Sequence, residues 1–589
     1  MHSLSQQQIQ DKLNFMQNYC QSNNAADGAK LDANANVTQK NIATLEAELM
    51  KDCFIQVNRA QVKNKIAELF GQDLADEYVK QINNHEIYVH DETSLKPYCA
   101  SITLYPFLLD GLTKLGGESK APKHMESFCG AFVNLVFAIS SQFAGAIATV
   151  EFLTYFDYFA RKDYGDDYLT SHTHAIKNHL QHVIYALNQP AAARGYQSVF
   201  WNISLYDSYY FDAMFADFKF PDFSSPQWQS VNALQCFFMD WFNDEREKAV
   251  LTFPVVTAAM LTENEQVKDQ DFALFCATQL SQGNAFFVYQ SDSPDSLASC
   301  CRLRNEISDN TFSYTLGAGG VATGSVNVIT LNMNRLIQQG DDLLEQVEKV
   351  QKYQLAYRDL MDEYLEKGLL TAYDAGFINL DKQFLTIGIN GLAEAAEFKG
   401  IKVSNNETYK AFVSEQLEVI YHANKAAYQT YGKRFNTEFV PAENLGVKNA
   451  KWDKKADLKV NRDCYNSYFY LVEDETINHL DKFILHGKDM VRYLDGGSAL
   501  HLNLEETLSE QNALSLLNIA AKTGCHYFCI NVKITICNEC EYIDKRTLHA
   551  CSSCGSKNID YGTRVIGYLK RISAFSSARQ EEQIRRYYQ

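Results

Sequence analysis

Residues 537–569 read CNECEYIDKRTLHACSSCGSKNIDYGTRVIGYL. Cys537-x-x-Cys540 and Cys551-x-x-Cys554 form two knuckles with ten residues between them. Each knuckle can place two thiolates about 2.3 Å from one ion, and four sulfurs complete a tetrahedron. Zinc is expected rather than iron, because a closed four-sulfur structural site needs no redox chemistry. The metal would organise a segment with almost no apolar core of its own. Directly behind the cysteines stands Arg564-Val-Ile-Gly567-Tyr568-Leu569, with Arg579, Glu582, Arg585 and Tyr587 beyond it. By itself, a glycine ahead of an aromatic is a turn.

Working outward, the 589-residue chain has the make-up of a soluble globular protein, with 46% apolar and 21% charged residues. That composition excludes a disordered, collagen-like or coiled-coil chain. The net charge of −18 argues against broad nucleic-acid binding, which needs a basic surface, but leaves room for an anionic substrate in a locally basic pocket. No charged and then apolar leader opens the sequence; Met1 to Asn36 is polar and rich in Gln and Asn. With fifteen cysteines and no secretory signal, a reducing cytoplasm is expected, where clustered cysteines mean metal or catalysis. The stretch Gly130 to Val150 is apolar but carries Asn134, Ser140, Ser141 and Gln142. It is expected to be a buried helix packed through small residues and not a membrane span.

Leu343, Val347, Val350, Tyr357, Met361 and Tyr364 recur at helical spacing, as do Phe412, Val413, Leu417, Ile420 and Tyr421. Strand patterns lie between the helices: Leu500, Leu502 and Leu504; Ile530, Val532, Ile534 and Ile536; and the β-branched run SVNVITLNM at 325–333. Strands spaced among helices predict α/β architecture. No internal boundary stands out between about 40 and 530.

Several stretches taken together resemble one family. The RVIGY turn near the chain end is similar to the C-terminal signature of glycyl radical enzymes. Cys300-Cys301-Arg302 precedes a glycine-rich Thr315–Gly320 and SVNVITLNM. Other matching stretches are His90-Asp91-Glu92 leading to Lys96-Pro97-Tyr98-Cys99, Thr386 to Leu392 (TIGINGL), and Val440-Pro441-Ala442-Glu443-Asn444. With the cysteine knuckles, this set resembles the anaerobic (class III) ribonucleoside triphosphate reductases from about residue 34 to the end.

The resemblance implies a ten-stranded α/β barrel with two finger loops meeting at its centre and a C-terminal zinc-binding segment. The expected division is a polar extension (1–33), the catalytic barrel (34–530), the zinc segment (531–556), and the radical loop and tail (557–589). Gly567 would store the radical. Glycine suits this because it has no Cβ to crowd a planar α-carbon, so the unpaired electron delocalises over the flanking amide and carbonyl. Cys301, just before an arginine, would be the thiyl relay. Cys99 matches the second catalytic cysteine of formate-using members, and Asn327 would be an amide that positions substrate or formate. Pro441, Ala442, Glu443 and Asn444 would cradle phosphate at a helix start, with Asn444 replacing the family's serine; the glycines at 317, 319 and 320 could form a second nest for phosphate.

The implied co-reactants are formate and Mg²⁺ with the nucleotide. The implied partners are a radical S-adenosylmethionine activating enzyme and a second copy of the chain, with dNTP or ATP specificity effectors bound near the 124–150 helix. The family's N-terminal ATP-binding domain is not expected here, and neither is an activity switch of that kind. Two other readings stay open. The adjacent Cys300–Cys301 pair resembles pyruvate formate-lyase, which leaves a carbon–carbon lyase or dehydratase of the same superfamily, and the knuckles alone resemble a zinc ribbon that binds nucleic acid.

Overall fold

The computed structural model describes residues 4–28, 40–191, 197–294, 296–298, 304–306, 321–440, 444–565 and 567–589. Cys300, Cys301 and Pro441–Glu443 lie outside the described residues, as do the glycines at 317, 319 and 320. Ten strands form the centre: β1 (Cys99–Ser101), β2 (Ile147–Ala148), β3 (Trp201–Tyr206), β4 (Val255–Glu263), β5 (Phe287–Ser291), β6 (Thr323–Asn332), β7 (Gln383–Asn390), β8 (Phe435–Glu438), β9 (Leu500–Leu504) and β10 (Tyr527–Val532). Their spatial order is β8-β7-β6-β1-β2-β3-β4-β5-β10-β9. Strands β1 to β5 pair in parallel, as do β6 with β7, β7 with β8, and β9 with β10. The two sets meet antiparallel at β6/β1 and β5/β10. A parallel bridge from Glu438 to Gly497 closes the ring, supported by Phe439 N–H donating to Gly497 O at 3.1 Å. The result is a barrel of two five-stranded parallel halves running in opposite directions.

Helices cover the outside, so the strands are buried on both faces and read as long β-branched runs. All ten residues of β6 are buried. Helix Leu343–Glu366 begins at Asp342, whose side chain accepts from Glu345 N–H at 3.1 Å. It buries Val347, Val350, Tyr353, Leu360 and Met361, and its Gln354 donates to Thr386 O at 2.7 Å. The apolar stretch at 130–150 is split: helix Met125–Ser140 ends and the chain turns into β2. Phe128 and Phe132 pack there against Phe152. Among the described residues no helix is long and apolar enough to cross a membrane.

The alternation Ile530 to Ile536 continues without interruption in the sequence, yet the structure divides it at Lys533. β10 finishes in the barrel, and β11 (Ile534–Cys537) starts a separate antiparallel sheet with β12 (Ile543–Asp544), β13 (Ile559–Arg564) and β14 (Leu569–Arg571), in the order β12-β11-β13-β14. Helix Ser577–Arg585 follows. The last residues then return to the barrel, where Gln589 N–H donates to Asn503 O and Glu505 N–H to Gln589 O, at 3.1 and 3.0 Å.

Candidate active site inside the barrel

Strand register identifies the inner face. Trp201 turns its ring into the helix layer, 5.3 Å from Phe152, so the next residue, Asn202, faces inward. Residues paired across neighbouring strands share a face. Asn202 pairs with Ala148, Ala148 with Ser101, and Cys99 with Ser325. Ser325 and Thr386 hydroxyls lie 2.8 Å apart, and Thr386 pairs with Asn436. Around the other side Thr257 pairs with Phe287, Phe287 with Cys529, and Cys529 with His501. This interior is polar and buried. Both side-chain polar atoms of Asn202 and of Asn436, and the Ser101 hydroxyl, are buried with no hydrogen-bond partner among the described residues. Buried polar groups are nearly always paired, so this constellation suits a polar ligand.

Two hairpins address that face. Strands β13 and β14 pair Arg564 with Leu569, leaving Val565–Tyr568 as the tip that bears Gly567. Hairpin tips are normally solvated, but Val565, Gly567 and Tyr568 are buried. Tyr568 packs against Phe200 and Phe253, at 5.3 and 5.7 Å between ring centroids. The strand leading into the tip is held by its carbonyls. Asn531 Nδ2 donates to Arg564 O at 3.1 Å, and Arg586 Nη2 donates to Val565 O at 2.7 Å. Arg586 is itself paired with Glu582 at 2.6 Å, whose carboxyl the neighbouring guanidiniums keep far below its usual range despite the cost of burial.

The second hairpin follows β5 and pairs Ser296–Ala298 with Arg304–Glu306; Cys300 and Cys301 fall between these strands in the sequence and lie outside the described residues. Its base is tied to the barrel by Tyr289, whose hydroxyl lies 2.7 Å from Ser296 Oγ. Tyr289 pairs with Tyr527 of β10.

Cys99 lies on β1 and is buried. Its sulfur accepts from Ala146 N–H at 3.3 Å, and a Cβ at Gly145 would come within 2.5 Å of it. Asn327 is also buried, but a bulge between Ser325 and Asn327 shifts the register so that Asn327 pairs with Leu385, a residue of the apolar core. Strand parity thus gives Asn327 the face opposite to Ser325 and Cys99. Asn444 precedes helix Leu445–Lys455, and its side-chain oxygen accepts from Ser576 Oγ at 3.2 Å.

In the small sheet, the sulfurs of Cys537, Cys540, Cys551 and Cys554 all lie within 4.8 Å of one another. Two of the separations, Cys537–Cys554 and Cys540–Cys551, are 3.6 Å. A tetrahedron with ligands 2.3 Å from its centre has edges of about 3.8 Å, so the cluster has the size for zinc. Cys540 and Glu539 N–H groups donate to Cys537 sulfur and lower its thiol to about 7, which favours the thiolate a metal needs.

Residues 46–588 match the family model described as anaerobic ribonucleoside-triphosphate reductase. The chain belongs to that family. Among solved structures, it is similar to an anaerobic ribonucleotide reductase at 29% identity, with a TM-score of 0.85 over 99% of this chain and 92% of the other. It is also similar to the anaerobic ribonucleotide reductase of Thermotoga maritima in complex with dATP and CTP, at 27% identity and a TM-score of 0.83, over 99% of this chain and 100% of that one. No curated protein sequence matches it. The chain is therefore a ribonucleotide reductase by family and an oxidoreductase by class, and the barrel is the family's fold. Sequence reasoning about this reductase missed Asn202, Asn436 and Ser325. The available signal was an Asn directly behind an aromatic at the start of each of two strands, WNISLY and FNTE. It also missed Arg586 and Asn531, for which only tertiary structure supplies the partner.

Proposed function

We propose that this reductase converts ribonucleoside triphosphates to deoxyribonucleoside triphosphates for DNA synthesis under anaerobic conditions, using a radical stored on Gly567 and relayed by Cys301. The observation that carries the reading is the buried Gly567 tip. A hairpin end with no solvent to face is held by Arg586 and Asn531 against the barrel interior, where the base of the Cys301-bearing hairpin is also anchored. Burial suits a radical, because it excludes water and stray reductants.

In this reading the Gly567 radical takes hydrogen from Cys301 sulfur, and the resulting thiyl takes the ribose 3′-hydrogen. The 2′-hydroxyl then leaves as water, and Cys301 returns the 3′-hydrogen. Formate supplies two electrons and becomes carbon dioxide, with Cys99 assisting, so nucleotide, formate and a proton give deoxynucleotide, carbon dioxide and water. Asn202 and Asn436 offer donors and acceptors to ribose and formate. Ser325 is the polar neighbour opposite Cys99, and Asn327 sits one bulge further along β6. Residues Pro441–Asn444 would hold the triphosphate with its Mg²⁺ at the start of helix Leu445–Lys455. Zinc would close the four-cysteine site as a structural ion.

The relative's complex with dATP and CTP supports a pyrimidine substrate and a deoxynucleotide effector here. The outer face of helix Met125–Ser140, with Gly130, Ala131 and Ala138 only partly buried, suits a homodimer contact beside such an effector. A radical S-adenosylmethionine activating enzyme would generate the radical. The test is an anaerobic assay with CTP or ATP plus formate. Deoxynucleotide is expected from the activated protein, with a glycine-centred EPR doublet that Gly567→Ala removes. Turnover retained in Cys301→Ala would overturn the relay, and activity with pyruvate and coenzyme A would move the chain to a lyase reading.

A further inference from the structure

At the base of the Gly567 hairpin two arginines meet in the interior. Arg246 follows helix Trp228–Glu245 and is 6% exposed; Arg564 ends β13 and is 3% exposed. Arg246 Nη1 and Arg564 Nη2 both donate to the carbonyl of Ala285, at 2.5 and 2.8 Å. Their guanidinium carbons lie over Phe242 and Phe287, at 4.1 and 5.4 Å from the ring centroids. Neither has a carboxylate partner among the described residues. Glu245 is engaged by Lys248 and by the Tyr185 hydroxyl, and Glu247 by Lys545. Arg246 Nε and Nη2 and Arg564 Nε are buried with no acceptor among the described residues. A cavity of about 50 Å³ is lined by both arginines, with Asn243, Asn284 and Lys545 also on its wall.

Two like charges buried on one shared carbonyl, with three donor nitrogens unused, lack the counter-charge that buried ions require. We infer that this cavity binds a small monovalent anion of halide or formate size between Arg246 and Arg564. The fork of a guanidinium matches a carboxylate bidentately, and a halide can accept from the same N–H groups. The cavity has room for a small ion, since about 10–15 Å³ of such space suffices for one water and about 50 Å³ is present. An anion here neutralises the point from which the Gly567 tip projects and fixes Arg564 in place. The inference rests on the arginine geometry alone and stands whether or not Gly567 carries a radical.

Crystals of the full chain soaked in sodium bromide test it directly. An anomalous peak is expected within hydrogen-bond reach of both guanidiniums. In parallel, melting is followed in sodium chloride, sodium formate and sodium gluconate at equal ionic strength. Chloride and formate should raise the midpoint by about 2 °C or more, saturably, gluconate should not, and Arg246→Gln should lose the difference. Bromide only at surface sites, or a gluconate effect equal to that of chloride, overturns the proposal. If Arg246→Gln does not fold, the bromide map on the unaltered protein decides alone.

Discussion

Arg586 is the residue on which the position of Gly567 most depends, because it converts a flexible tip into a fixed one. Its two terminal nitrogens reach Val565 O and Arg564 O at 2.7 and 3.4 Å, while Glu582 holds the other side of the fork. Lysine cannot span two carbonyls and a carboxylate at once. Arg586→Lys is therefore expected to lower turnover about tenfold or more, the equivalent of one charge-assisted hydrogen bond. Metal content should be unchanged; wild-type turnover in this variant would show that the tip needs no such clamp. Glu151 makes a second residue-scale case. It is fully buried, and one oxygen accepts from Leu104 N–H and Thr103 Oγ, at 2.8 and 3.1 Å. Desolvation pushes its carboxyl up to about 7. The folded state then binds the proton more tightly than the unfolded chain does, so stability is fully present below about pH 4.5 and falls as pH rises to 7, by on the order of 3 kcal/mol. Glu151→Gln, neutral throughout, should match the parent near pH 5 and exceed it at pH 8 in urea midpoint. An unchanged difference between the two pH values would exclude the shift.

At the scale of elements, the four-cysteine cluster and Gly567 belong to one unit. Cys537 closes β11, which pairs directly with β13, and β13 leads into the tip. Removing the metal with a chelator, or Cys551→Ser, should loosen the sheet, because its four strands enclose little apolar surface. Faster amide exchange over 559–571 is expected, with β1 to β5 unaffected; unaltered exchange in the metal-free protein would separate the two features. The same element explains what the sequence made legible. Knuckles and the RVIGY turn are local patterns, since the chemistry requires those residue types at fixed spacing. The barrel strands were harder. Leu500, Leu502 and Leu504 suggest a strand with one wet face, yet His501 and Asn503 are buried because they line the interior of a closed barrel. Alternation reports two different faces and does not say which solvent each one meets. Register is equally invisible: a single bulge decides that Ser325, and not Asn327, shares a face with Cys99. Gly324 shows how tightly that pairing is drawn. Its φ is +150°, and a Cβ there would come within 2.1 Å of Cys99 O, so Gly324→Ala should cost several kcal/mol through the β1/β6 pairing, measured as a lowered urea midpoint.

Across the whole molecule, both chain ends meet beside the Gly567 hairpin, although Asp27 and Ser577, which bond there, stand 550 positions apart in the sequence. Asp27 accepts from Ser577 N–H and Oγ at 2.9 and 2.7 Å, which caps helix Ser577–Arg585 with a carboxylate from the opposite terminus. Asn24 adds a bond to Phe575 O at 3.0 Å. That helix carries Glu582 and leads into Arg586, and the tail beyond it hydrogen-bonds beside β9. The order of dependence thus runs from the N-terminal turn to the C-terminal helix, from the helix to Arg586, and from Arg586 to the Gly567 tip. A carboxylate at a helix start contributes about 0.3–1 kcal/mol. At exposed Asp27 its loss should therefore raise local opening of the last helix several-fold without unfolding the barrel. Asp27→Ala is expected to speed hydrogen exchange across 577–589 and, to a smaller degree, across 559–571, while peptides from β3 and β4 keep the parental rate. Uniform acceleration everywhere would mean that the two ends stabilise the molecule globally. No acceleration at 577–589 would mean that the N-terminal turn merely lies against a helix able to hold the tip alone.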